Sequence, residues 1–423
     1  MSENVKVLEG WKRVKLGEVL SISRIPDNEK DPNKRITVRL WNKGVFAREV
    51  REVELNREKE STIYYKRKAG QFIYGKQNLV RGAFGVIPPE LDGYCSTSDV
   101  PSFDVSKNLD VYYLDYTLRT LYKAFSLYEK GTGSKRVHEK DFLSFEIFLP
   151  PIFEQQKIAE ILKTVDRAIE KTGKIIEKYK RIKQGLMQDL LTKGIDENGK
   201  IRNEKTHKFK DSPIGRIPEK WEVVRLMEVV SSYAGGTPNR DIDEFYNGNI
   251  KWLKSGEISK KYISDTEEKI TEKGLKFSNA KYIAVNAVVI ALYGATAGQV
   301  GIVKDILTAN QAVLALNILD KLRLFHEYLY YFLSKFIPMI LSQLQGSGQP
   351  NLSKNIVDNT FISLPPLPEQ QRIASVLSQI DEVIEKEEAY KEKLERIKKG
   401  LMEDLLTGKV RVDDLTENQK EEF

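Results

Sequence analysis

The sequence predicts an α+β protein assembled twice from one plan. Each copy is a mixed α/β domain followed by one long helix, and a pseudo-twofold internal repeat relates the copies. Three observations carry this. A 47-residue block recurs at an offset of 215 residues, both blocks show sustained helical periodicity, and the segments before them alternate strand-like and helix-like runs.

The blocks run from Leu149 to Ile195 and from Leu364 to Val410, and about 25 of the 47 positions are identical without a gap. The correspondence continues outside them. Gly131-Thr-Gly133 precedes the first block where Gly346-Ser-Gly348 precedes the second, and Trp11-x4-Leu16-x-Glu18-Val19 matches Trp221-x4-Leu226-x-Glu228-Val229. The chain therefore divides into a domain over 1–148, a helix over 149–195, a linker over 196–212, a second domain over 213–363, a second helix over 364–410 and a tail over 411–423. Two copies of one unit imitate a homodimer.

Within the blocks, Ile158, Leu162, Val165 and Ile169, then Ile176 and Tyr179, step by three, four or seven. Ile373, Leu377, Ile380 and Ile384 do the same, followed by Leu394, Ile397, Leu401 and Leu405. That is a coiled-coil-like seam, which predicts that the two helices pack on each other. Pro150-Pro151 and Pro368-Glu369 mark the starts, Gly194 and Gly408 the stops. At 1.5 Å per residue such a helix is roughly 57 Å long.

Strand-like runs in the first domain are Gly70–Tyr74 and Phe84–Ile87; in the second they are Tyr282–Ala284, Ala287–Tyr293 and Val300–Val303. Helical runs at Leu114–Tyr128 and Leu324–Leu344 occupy corresponding places.

Composition restricts the chemistry. The chain has 423 residues with 68 Lys and Arg against 61 Asp and Glu, a formal charge of +7 and a pI near 9.0; 30% of residues are charged and 40% apolar. This fits a folded protein compatible with a nucleic-acid partner. One cysteine, Cys95, excludes an intramolecular disulfide and a multi-cysteine zinc site, and three scattered histidines argue against a histidine-rich metal centre. No run of about 18 apolar residues predicts a membrane span, and the N-terminus lacks an apolar signal region, so the expected location is cytoplasmic, away from membranes.

No catalytic signature stands up. Gly131-Thr-Gly-Ser-Lys135 is too short for a P-loop and follows a helix, and no dinucleotide fingerprint follows a strand. The Pro-Pro pairs at 88–89, 150–151 and 365–366 lack the flanks of an adenine methyltransferase motif, and Cys95 has no local histidine. What recurs is polar recognition chemistry. Lys66, Arg67, Lys68, Lys76, Gln77, Arg81, Lys135 and Arg136 in the first domain are candidate DNA contacts, as are Arg240, Lys251, Lys254, Gln349, Asn351 and Lys354 in the second. Lys and Arg neutralise phosphates; Arg, Lys, Gln and Asn also read purine edges.

These residues carry a resemblance. Asn351-Leu-Ser353 followed by Ile362-Ser-Leu-Pro-Pro-Leu-Pro-Glu369-Gln370 resembles the hallmark of specificity subunits of type I restriction–modification systems. So do Gly215-x-Ile-Pro218-x-x-Trp221, Gly235-Gly-Thr-Pro238 with Gly248-Asn-Ile-Lys-Trp252, and Ala83–Gly93. The first copy departs from the pattern at Phe153 and at Lys135–His138. The resemblance spans essentially the whole chain. It implies two target recognition domains separated by two antiparallel helices, each domain reading half of a bipartite, asymmetric target in double-stranded DNA. It implies that the helices set the spacing and dock modification subunits, expected as two, with two restriction subunits alongside. S-adenosylmethionine, ATP and magnesium would then belong to those partners, leaving this chain without cofactor, metal or catalytic residue. The rival reading is a structural or adaptor coiled-coil protein, which would show no salt-dependent affinity for DNA.

Overall fold

The computed structural model describes residues 8–29, 31–49, 62–344 and 351–412, and they form two compact units. Unit 1 combines residues up to Gly173 with those from Ala389 onward; unit 2 runs from Lys174 to Glu388.

In unit 1, Trp11 precedes β1 (Lys12–Lys15), β2 (Leu20–Ser23) and β3 (Ile25–Pro26). A hairpin of β4 (Ile36–Arg39) and β5 (Gly44–Ala47) follows, then β6 (Tyr64–Lys66), β7 (Phe72–Tyr74), β8 (Phe84–Val86), β9 (Cys95–Thr97) and β10 (Ser102–Val105). Helix α1 (Val111–Leu121) starts where the Asp110 carboxylate accepts the amides of Tyr112 and Tyr113, and a 3-10 segment (Tyr122–Tyr128) continues it. β11 (Glu146–Leu149) pairs with β1, and helix α2 (Ile152–Leu190) leaves directly from it. The central sheet has the order β2-β10-β7-β8. Its apolar face buries Phe72, Tyr74, Phe84 and Phe103 against Phe125, Phe142 and Phe145. Tyr74 and Phe142 lie 4.5 Å apart between ring centres, Phe125 and Phe145 4.3 Å.

Unit 2 follows the same plan with a different sheet. Its strands are β12 (Phe209–Lys210), β13 (Ile217–Pro218), β14 (Glu222–Arg225), β15 (Val230–Ala234), β16 (Tyr246–Leu253), β17 (Tyr262–Ile263) and β18 (Glu268–Ile270). Then come β19 (Val288–Ala291), β20 (Val300–Val303), β21 (Thr308–Ala309), β22 (Val313–Ile318), helix α3 (His326–Leu344), β23 (Phe361–Leu364) and helix α4 (Leu367–Leu406). The main sheet is β15-β22-β19-β20-β17, and its all-buried central strands explain the continuous apolar runs at 287–293 and 313–316. A smaller sheet, β18-β16-β21, stands beside it. The 282–284 run, expected as a strand, makes only one bridge, Ile283 to Leu307. The 196–212 linker is tied down: Ile195 bridges Ile201, and β12 pairs with β13.

The repeated Leu-Pro-Pro-x-x-Glu-Gln motif has a structural meaning in each unit. The Gln155 side chain donates to the carbonyls of Asn108 and Pro150 and accepts the Asp110 amide; Gln370 does the same with Arg323, Pro365 and Phe325. Each glutamine thus locks the entry to α1 or α3 onto the start of the long helix. The neighbouring glutamates are buried. Glu154 accepts Trp11 Nε1 at 3.1 Å and is bridged by Arg411, at 2.8 and 3.0 Å. Glu369 accepts Trp221 Nε1, the Ile195 amide and both terminal nitrogens of Arg202. Arg202 and Arg411 each lie just beyond a helix stop, where Gly194 and Gly408 take left-handed φ values of +66° and +70°.

Each unit therefore holds the first half of one long helix and the second half of the other. In unit 1, Asp166 of α2 accepts the Tyr116 hydroxyl at 2.7 Å and pairs with Lys398 of α4 at 2.6 Å. In unit 2, Asp381 of α4 accepts the Tyr331 hydroxyl at 2.5 Å and pairs with Lys183 of α2 at 2.5 Å. All three residues are related by the 215-residue offset, with the lysine drawn from the other copy. Lys180 to Glu388 adds a further pair, so within unit 2 the two helices run in opposite directions.

The predicted seam divides in two. Ile158 and Leu162 are fully buried, but in the unit 1 core with Phe142, Phe145 and Leu405; Ile373 and Leu377 sit likewise in the unit 2 core with Tyr328, Phe332 and Leu191. They bind each helix to its own domain as well as to its neighbour. Val165, Ile169 and Ile380 are half-buried, Ile384 is buried, and Ile397, expected in the seam, is 42% exposed.

Candidate nucleic-acid interface

In unit 1 the β7–β8 connection collects several of the predicted contacts. Leu79 is a buried anchor, a 3-10 turn (Leu79–Arg81) follows, and Gly82 at φ +75° closes it with its amide on the Leu79 carbonyl. This leaves Gln77 and Arg81 exposed at the tip. The 130–136 loop is closed by paired backbone bonds between Lys130 and Arg136, and the Val137 amide holds it to the Lys76 carbonyl. Lys76, Gln77, Arg81, Lys135 and Arg136 thus meet at one end of the sheet. Lys135 is exposed and Arg136 faces Asp99 at 3.5 Å. The Lys76 ammonium is nearly covered and paired with Glu139 at 2.9 Å, so it is a structural cation and not a free contact.

The Lys66-Arg67-Lys68 run lies at the other end of β7. Arg67 is a correction to the sequence reading: its side chain is 1% exposed. Its guanidinium donates to Ser96 Oγ, Ser102 Oγ and the carbonyls of Ser23, Thr97 and Val100, knitting together the edges of two sheets. Burial pushes its pKa down to about 10. Lys66 pairs with Glu29 at 2.5 Å, and Lys68 is exposed in a turn whose amide is held by the Gln71 side chain. Strand alternation turns Arg67 inward while its neighbours point out.

One element escaped the sequence reading. The β4–β5 hairpin tip, Leu40-Trp41-Asn42-Lys43, abuts the Arg81 turn, with the amides of Trp41 and Asn42 donating to the carbonyls of Arg81 and Gly82 at 2.8 and 3.0 Å. It joins the same end of the sheet.

In unit 2, the Gly235-Gly236 pair is a packing device. A Cβ on Gly235 would collide with the carbonyls of Ala309 and Asn310, one on Gly236 with the Asn279–Ala280 backbone, and the Gly236 carbonyl accepts Trp252 Nε1 at 2.9 Å. Arg240 is exposed over the rings of Tyr246 and Trp252, at 4.6 and 4.9 Å, and meets Glu268 at 2.7 Å. Lys254 reaches Glu267 and Glu268, each at 3.1 Å, and Lys251 reaches Asp305 at 2.7 Å. Hydrogen bonds to these carboxylates raise both lysines above the usual range, with Glu268 foremost for Lys254 and Asp305 for Lys251. The structure thus brings Arg240, Lys251 and Lys254 together around β16, each carrying a carboxylate. Asn351 and Lys354 lie elsewhere, where the Leu352 amide holds the loop to the Leu292 carbonyl and Lys354 pairs with Asp358 at 2.5 Å. Gln349 and the 346–348 glycine loop lie outside the described residues.

Among the described residues no group of three or more His, Cys, Asp or Glu is arranged to hold a metal ion, and no helix is long and apolar enough to cross a membrane. Cys95 is buried, which pushes its thiol up to about 11 and away from the reactive thiolate.

Comparison with known proteins agrees with this geometry. Residues 8–180 and 218–396 each match the family model described as the type I restriction modification DNA specificity domain. The chain is 30% identical to the type I restriction enzyme MjaVIII specificity subunit of Methanocaldococcus jannaschii, over 97% of this chain and 95% of that one. It is 26% identical to the EcoR124I/EcoR124II specificity subunit of Escherichia coli, over 43% and 46% of the respective chains. The fold is similar to the crystal structure of a type I restriction–modification S subunit from M. genitalium, with a TM-score of 0.62 at 13% identity over 96% of this chain and 98% of that one.

Proposed function

The chain belongs to the type I restriction–modification DNA specificity family, and we propose that its two units read the two halves of a bipartite, asymmetric duplex target. It is a specificity subunit, and its role is DNA recognition. One observation carries the finer reading. The Tyr-Asp-Lys sets Tyr116–Asp166–Lys398 and Tyr331–Asp381–Lys183 repeat at one offset, whereas the sheets beside them differ in strand order and in exposed residues. A constant frame with divergent readers suits a protein that fixes half-site spacing while reading two different sequences.

In this reading α2 and α4 form an antiparallel coiled coil that acts as the spacer and docks two modification subunits, with two restriction subunits completing the assembly. Methyl transfer, ATP and magnesium chemistry belong to those partners, and the chain itself turns over nothing. Exposed Gln77, Arg81 and Lys135 in unit 1, and the cations around β16 in unit 2, are the first contacts to test. The experiment is an anisotropy titration of the purified chain with a random-sequence 40-base-pair duplex between 50 and 200 mM salt. Several phosphate contacts give a steep linear fall of log affinity against log salt, about 0.9 per phosphate. A flat dependence supports the adaptor reading instead.

A further inference from the structure

The tip of the β4–β5 hairpin holds an unusual residue. Trp41 and Asn42 are its two central positions, with φ of +62° and +56°, and the Lys43 amide closes the turn on the Leu40 carbonyl. Two left-handed residues in succession make a type I′ turn, whose chemistry calls for Asn-Gly. A tryptophan in that position strains its backbone, because its Cβ crowds the following carbonyl. Folding gives nothing back: the indole is 65% exposed, whereas Trp11, Trp221 and Trp252 are all buried.

The tip is nevertheless held rigidly. The Trp41 and Asn42 amides are fixed to Arg81 and Gly82, and a Cβ at Gly82 would lie 2.6 Å from Asn42 Oδ1, so the two loops interlock only because Gly82 lacks one. Buried Ile36 and Val45 root the hairpin in a cluster with Ile73, Ile87 and Leu91. Arg39 and Lys43 on the same hairpin and Arg81 on the adjoining turn are all exposed, with the Arg39 guanidinium lying 4.3 Å over the Phe46 ring. Among the described residues none of the three has a carboxylate partner, in contrast with Lys66, Lys76, Lys251 and Lys254. A rigidly held, strained and unburied indole, with cations lacking carboxylate partners on its own hairpin and on the adjoining turn, matches a wedge that enters DNA between stacked bases while the cations grip flanking phosphates.

We propose that Trp41 is such a wedge, contacting a base step within or beside the half-site read by unit 1. The inference rests on the DNA-recognition reading above. The test uses the full-length chain, a duplex pool selected from random 40-base-pair DNA by the unaltered protein, and the unselected pool. Binding of the selected pool should quench the one solvent-exposed tryptophan, and Trp41→Phe should abolish that quenching. Trp41→Ala should weaken the selected complex by about tenfold or more, the loss expected for one base–aromatic stack, with a much smaller change on unselected DNA. Trp41→Asn should bind as poorly as Trp41→Ala yet melt no lower than the parent, since asparagine tolerates the left-handed turn. Affinity within twofold of the parent, with the same sequences selected, would overturn the wedge and leave the DNA reading intact. A parent chain that selects no sequence and shows no salt dependence would overturn both.

Discussion

Truncating Glu369 to alanine tests the clasp that joins each domain to its long helix. Glu369 is 3% exposed and satisfies three groups: the Arg202 guanidinium, Trp221 Nε1–H and the Ile195 amide. Removing one partner of a buried ion pair costs about 3–5 kcal/mol. The Arg202 side chain retains 17% exposure, which places the charge at the lower end of that range. The orphaned Trp221 and Ile195 donors each add about 1 kcal/mol, reduced where water enters the space. These terms come to about 5 kcal/mol for Glu369→Ala, and to about 4 kcal/mol where water reaches the freed donors. Glu154→Ala should cost less, about 3 kcal/mol, because Arg411 is 29% exposed and no backbone amide shares Glu154. Urea unfolding of both variants, followed by circular dichroism and tryptophan emission, measures this ranking. Arg202→Ala combined with Glu369→Ala should recover about 2 kcal/mol relative to the summed single variants. A loss under about 1 kcal/mol for Glu369→Ala, or strict additivity in the cycle, would refute the clasp.

Other outcomes follow from the same packing. Leu377→Ala empties a fully buried site and should lower stability by about 3 kcal/mol, while Val165→Ala, half-buried, should cost under about 1; urea midpoints distinguish them. Arg67→Lys should destabilise unit 1 severely, because an ammonium cannot replace five guanidinium hydrogen bonds, while any protein that folds keeps the parent's DNA affinity. Burial pushes Lys335 down to about 8. Between there and the usual lysine range the unfolded chain binds the extra proton, so stability should rise with pH across that window. Lys335→Met should remove this component, read as the difference between the two melting profiles from pH 7 to 10.

The long helices and the repeat were legible because their signals are periodic and local: seven-residue spacing, Pro-Pro starts and glycine stops. The partition of each helix between two units was not, since a heptad pattern does not say which partner covers which half; pairs such as Lys183–Asp381 and Lys398–Asp166, each joining the two copies, reveal it. The Glu-Gln of the duplicated motif was visible as a motif, but its work on Trp11, Trp221 and the α1 and α3 entries depends on residues more than 40 positions away. Arg67 was misplaced because a basic tripeptide looks solvated, although strand alternation after Tyr64-Tyr65-Lys66 already turned it inward. The tight packing at Gly235-Gly236 was not legible because close backbone approach leaves no mark in a sequence beyond glycine itself. Trp41 was overlooked because Trp-Asn is a poor type I′ pair, and the fold imposes that turn against local preference.

The most direct test of two readers on one fixed frame is the methylation pattern produced in cells by this chain with its own modification subunit. The account predicts modified sites made of two different short sequences separated by a gap of constant length and unspecified bases. A single continuous motif, a variable gap, or no sequence-dependent methylation would contradict it.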